Sequence, residues 1–151
     1  MKRKEASDAP QPTVVLDWDG TLVPARWPEQ PTEWMPGAVN AVNAMHRAGL
    51  KLVVHSARMN PYDPWSGQKL DAAKVAREHS YIRSMLDRQG LTFVDIWDRA
   101  GKPSGSAYVD DKGYRYTGSK RAWDAMANTL IMHLAKQEPD FPAFPFATAR
   151  A

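Results

Sequence analysis

The chain has 151 residues, 43% of them hydrophobic, enough for one domain whose core needs neither a metal nor a disulfide to hold it together. It contains no cysteine, which excludes a disulfide framework and any thiolate metal site and fits a reducing, cytoplasmic setting. The net charge of +3 is spread along the chain and not gathered into one basic block, and no run of about eighteen apolar residues is present to span a membrane.

Residues 1–12 open with Lys2, Arg3 and Lys4 but carry no apolar stretch behind them, so a disordered segment is expected there and not a signal peptide. Thr13 to Leu16 is a short β-branched run leading into Asp17, the pattern of a buried strand. Asp19, Gly20 and Thr21 supply a turn, and Pro24 to Gly37, with four prolines, must be an irregular loop carrying Trp27 and Trp34. Pro36 is placed to open a helix with Val39, Val42 and Met45 or His46 on one face, ended by Gly49.

Leu52, Val53 and Val54 form a second strand that delivers His55, Ser56 and Arg58. Met59 to Gly67 reads as loop, with Tyr62 and Trp65. Val75, His79, Ile82 and Leu86 then recur at helical spacing until Gly90. Leu91 to Trp97 is expected as a third strand and Ala107 to Val109 as a fourth, followed at once by Asp110 and Asp111. Ser119 is a candidate N-cap for a last helix with Trp123, Ala127, Leu130, Ile131 and Leu134 as its buried stripe. One domain over 13–136 is expected, with a Pro/Phe-rich tail at 137–151.

Strands alternating with helices imply βαβ units and a mostly parallel sheet with helices on both faces, an α/β three-layer sandwich of Rossmann-like type. In such sheets the site lies beyond the carboxyl ends of the strands. Asp17, Ser56 and the Asp110/Asp111 pair all fall there, with Lys102 in the loop before the fourth strand. Magnesium takes hard oxygen ligands from separate loops, and Asp17 and Asp110 are its natural direct ligands. A carboxylate attacking a phosphoryl group needs fixed positive charge nearby, which Mg2+ and Lys102 would provide. Ser56 and backbone N–H groups from Trp18 to Thr21 can donate to phosphate oxygens, and Asp19 can swing its carboxylate to the reacting centre.

Asp17-Trp18-Asp19-Gly20-Thr21-Leu22-Val23 resembles the first motif of the haloacid dehalogenase (HAD) superfamily of phosphatases and phosphotransferases. Ser56, Lys102 followed by Pro103, and Asp110-Asp111 resemble its other three motifs in order, over Thr13 to Tyr116. The resemblance implies a HAD-like phosphatase domain in which Asp17 forms an aspartyl-phosphate and Asp19 acts as general acid and then base. It further implies Thr21, Ser56 and Lys102 on the phosphate, and magnesium held by Asp17, the Asp19 carbonyl and Asp110, with Asp111 assisting. Neither gap between motifs has room for a cap domain. The small capless members it is similar to leave the substrate open: a phosphorylated small molecule or a nucleic-acid end, as in polynucleotide 3′-phosphatase domains.

Other readings accompany these. Asp17 and Asp19 can be a solvated turn, Asp110/Asp111 a helix cap, and Arg58 either a phosphate contact or a surface arginine. The four histidines share no ligand spacing and are read as packed or surface residues. The loop aromatics can stack on a base or cover the core. As a whole, the chain can be a nucleic-acid end-binding protein, or a phosphoacceptor or metal-binding module without turnover. The second of these would gain nothing from an acid at Asp19.

Overall fold

The β-branched run Thr13–Leu16 forms β1, and it is central to the sheet in the computed structural model, which describes residues 11–63, 66–113 and 119–134, the side chains of 126 and 130–134 excepted. The expected N-terminal segment lies mostly outside the described residues, and Trp65 and the tail at 137–151 wholly so. After β1 come α1 (Ala38–Arg47), β2 (Lys51–Val54), a single 3-10 turn (Ala57–Met59), α2 (Ala72–Arg88), β3 (Asp95–Ile96), β4 (Ala107–Val109) and α3 (Lys120–Leu134). The chain forms two compact units, 1–111 and 112–151.

Among the described residues the four strands are all parallel, in the order β3-β2-β1-β4. The chain steps outward from β1 through β2 to β3, then returns to add β4 on the other side of β1. Parallel neighbours demand long crossovers, and the reversal leaves a crevice between the carboxyl ends of β1 and β4, where ligands bind in open α/β sheets. Register is fixed by pairing Leu16 with Val54 on one side and with Val109 on the other. The ladder continues one residue further, with Asp17 N–H donating to Val109 O and His55 N–H to Leu16 O, both at 2.9 Å.

Val14, Leu16, Leu52 and Val54 are buried in a cluster with Trp18, Leu22, Val42, Ile82, Leu86 and Val94. Burying a side chain of this class contributes about 1.5–3 kcal/mol. Val42 is the buried residue of α1, Val39 and Met45 pack beside it, and His46 stacks on Phe93 at 3.7 Å between ring centres. In α2 the Asp71 side chain caps the first turn by accepting from Ala73 N–H, while Ile82, Met85 and Leu86 face the core.

The strand expected over Leu91 to Trp97 is reduced to Asp95–Ile96. Leu91 and Val94 are buried in a turn that Arg83 holds against the end of α2, donating to Val94 O at 2.7 Å and to Leu91 O at 3.0 Å. Those carbonyls are therefore spent on α2 and not on a neighbouring strand. Ser119 accepts from Ala122 N–H at the start of α3. Trp123 and Ala127, expected in a buried stripe, are exposed, and Leu130, Ile131 and Leu134 lie outside the described side chains. Among the described residues no helix is long and apolar enough to cross a membrane.

Candidate functional site

The crevice between β1 and β4 collects acidic side chains. Asp17, Asp110 and Asp111 each bring a carboxylate oxygen to within 4.8 Å of the others, which among the described residues is the one cluster able to hold a metal ion. Asp17 follows β1 and Asp110 follows β4, so the sheet register itself brings them together. Three hard oxygen donors from two loops, two of them on exposed residues, suit a hard cation such as magnesium better than a softer ion.

Asp17 is half-buried, and its carboxyl is pushed up to about 6. Burial is the main cause, with repulsion from Asp110 and Asp111 adding to it; hydrogen bonds from Trp18 N–H and Thr21 act the other way. Thr21 Oγ1 donates to Asp17 Oδ2 at 3.3 Å. A crowded carboxylate of raised pKa is where a bound cation would gain most.

The turn after β1 is closed by its own amides. Gly20 N–H donates to Val23 O at 2.7 Å, and the N–H groups of Thr21, Leu22 and Val23 converge on Trp18 O. Of the amides expected to meet a phosphate, those of Gly20 and Thr21 are thus engaged within the turn, and that of Trp18 serves Asp17. Gly20 has φ of 79°, and a Cβ there would collide with Asp111 Oδ2 and lie 2.9 Å from its Cγ. Only glycine allows this turn and the close seat of Asp111 over it.

Lys102 is exposed and its Nζ sits 3.8 Å from the centre of the Tyr108 ring. Its loop is docked on β1: Ser106 N–H donates to Thr13 O at 2.7 Å, and a Cβ on Gly105 would lie 2.7 Å from Val15 Cγ2. His55, left among the packed or surface histidines by its isolated place in the sequence, is half-buried at this same edge. Burial and neighbouring Lys102 push its imidazole below the ordinary value, while Asp110 and a hydrogen bond to the Gly101 backbone oppose them. The signal available in the sequence was its position directly after β2, one residue before Ser56.

Ser56 is 4% exposed, and its hydroxyl accepts from Arg58 N–H at 3.2 Å, capping the 3-10 turn. Arg58, which the sequence left as either a substrate contact or a surface arginine, is 2% exposed and so is no surface residue. Its guanidinium forks onto Asp19, with Nε to Oδ2 and Nη2 to Oδ1 both at 2.7 Å. Nη2 also donates to Glu29 O at 2.8 Å, and Nη1 lies 3.5 Å from Glu78 Oε2. Burial works against the charge, but the hydrogen bonds and negative charges of Asp19 and Glu78 together outweigh it and hold the guanidinium above its ordinary pKa.

The Asp19 carboxylate stands outside the three-aspartate cluster, turned toward Arg58 and about one-quarter exposed. Of the loop aromatics, Trp34 meets the buried Trp18 edge-on at 5.5 Å, whereas Trp27 is half exposed above Arg58. Compared with family models, curated proteins and solved structures, the chain finds no match.

Proposed function

We propose that the protein is a magnesium-dependent phosphatase that hydrolyses phosphomonoesters through an aspartyl-phosphate on Asp17. The observation that carries this reading is the convergence of Asp17, Asp110 and Asp111 in the crevice beside β1, with Lys102 on the neighbouring loop. Asp17, Asp110 and Asp111 would hold the metal, which supplies positive charge against the phosphate oxygens.

A carboxylate oxygen of Asp17 attacks phosphorus, and the bond from phosphorus to the leaving alkoxide breaks as Asp19 donates its proton to that oxygen. Asp19, now ionised, takes a proton from water. The water oxygen attacks phosphorus, the bond to Asp17 breaks, and inorganic phosphate leaves with Asp17 restored. Thr21 orients the Asp17 carboxylate, while Lys102 and Ser56 supply donors to the phosphate. A HAD-like fold without a cap accords with the four parallel strands and with the segment from Trp18 to Gly37, which holds turns and an isolated bridge but no strand or helix. A module that merely stores a phosphoryl group would be poorly served by a proton carrier two residues from its acceptor.

The test is hydrolysis of a panel of phosphomonoesters, nucleotides and 3′-phosphorylated oligonucleotides with magnesium or with chelator. Asp17→Asn should lower kcat at least about 10³-fold, and Asp19→Asn by about 10²–10⁴-fold with phosphorylated protein accumulating. Activity that survives chelation and Asp17→Asn would refute the reading.

A further inference from the structure

Arg58 has the geometry of an instrument for aiming Asp19. Arginine is chosen over lysine where two parallel bonds must fix a planar carboxylate, and here both Asp19 oxygens are held at 2.7 Å by one guanidinium. The fork is itself held from two other parts of the chain. Glu78, on the buried face of α2 and 7% exposed, lies 3.5 Å from Nη1 and accepts from Gln30 Nε2 at 2.8 Å; the carbonyl of Glu29 accepts from Nη2. Trp27 covers the guanidinium with its ring centre 5.0 Å from Cζ.

A buried guanidinium needs partners for its several N–H donors. This one is tied to a helix, to the proline-rich loop and to the side chain two residues beyond Asp17, and exclusion of water leaves it little freedom to turn. An ion pair so enclosed is costly to assemble and gains chiefly in fixed geometry.

We infer that Arg58 is a positioning residue: through its fork it fixes the Asp19 carboxylate in the orientation from which Asp19 exchanges its proton, with Glu78 and the Glu29 carbonyl fixing Arg58. The inference rests on the proposed role of Asp19. The fork binds the carboxylate through both oxygens, so it acts on the step in which Asp19 takes a proton from water. Misplacing a catalytic group by about 1 Å can cost on the order of 10²-fold.

The test compares wild type, Arg58→Lys and Arg58→Ala, each first shown by circular dichroism and thermal melting to be folded at the assay temperature. Arg58→Lys keeps the charge and loses the fork. It should lower kcat by roughly 10²-fold, leave KM within about threefold, and raise the fraction of acid-quenched enzyme carrying phosphate on Asp17. Free guanidinium ion should restore part of the activity of Arg58→Ala and none of that of Asp19→Asn. Should Arg58→Lys not fold, rescue of Arg58→Ala decides alone. A kcat for Arg58→Lys within about threefold of wild type, a loss confined to KM, or no rescue by guanidinium would overturn the inference. Wild-type turnover that does not depend on Asp17 would instead remove the reading beneath it.

Discussion

Asp17 sits where its own charge costs the folded protein free energy. Its carboxyl is pushed from 3.8 to about 6 by burial and by the two aspartates beside it. Between about pH 4 and pH 6 the folded chain therefore holds this proton more firmly than the unfolded chain, and stability falls as pH rises through that window. Asp17→Asn removes the charge and keeps the shape. Discounted for the solvent that still reaches this half-buried group, the gain above pH 6 without divalent cation is about 1–2 kcal/mol, or a Tm rise of roughly 3–8 °C. The gain should vanish near pH 4. Thermal melts at pH 4 and pH 7 check this, and a Tm difference equal at both would show that charge burial is not its source. Such a cost at one residue is what a site keeping a nucleophile among acidic metal ligands would carry.

Among the elements, β1 and β4 must approach closely for Asp17 and Asp110 to meet, and Gly105 is what permits the chain entering β4 to lie on β1. A methyl group there would press on Val15 Cγ2 at 2.7 Å with Ala107 O at 3.2 Å. Gly105→Ala should destabilise by about 1–3 kcal/mol and displace the loop bearing Lys102. Denaturant unfolding reads the first effect and KM for the phosphate ester the second; unchanged values would mean that the two strands part without cost.

The same elements show what the sequence could convey. β1 and β2 were readable because β-branched runs end abruptly on polar residues, β4 because a short apolar run meets two aspartates, and α2 because Val75, Ile82 and Leu86 repeat at helical spacing. β3 was overread, since Leu91 and Val94 are apolar for the sake of packing under α2 and their carbonyls belong to Arg83. The three aspartates were legible because two strand ends present them. The Asp19–Arg58–Glu78 chain was not, because its members lie 39 and 20 residues apart and pair only through the fold. His55 carried no local mark beyond its position at a strand end.

For the whole molecule, the order β3-β2-β1-β4 is the feature on which the proposed function rests. Reversing direction beside β1 opens the crevice at the carboxyl ends, where three carboxylates cluster; Lys102 is exposed on the adjoining loop and Ser56 is buried one strand over. The proline-rich segment and α2 meet through Gln30 and Glu78, and Tyr81 OH donates to Pro31 O. The loop is thus fastened to α2.

The central claim is that the phosphoryl group passes through Asp17. It is tested most directly by quenching the protein in acid during turnover with magnesium and a phosphomonoester, reducing it with borohydride, and sequencing the peptide spanning β1 by mass spectrometry. An aspartyl-phosphate at position 17 would be converted to homoserine there, and the account predicts that product in wild type, more of it in Asp19→Asn, and none in Asp17→Asn. Turnover that proceeds with residue 17 unlabelled, or with the label on another residue, would contradict it.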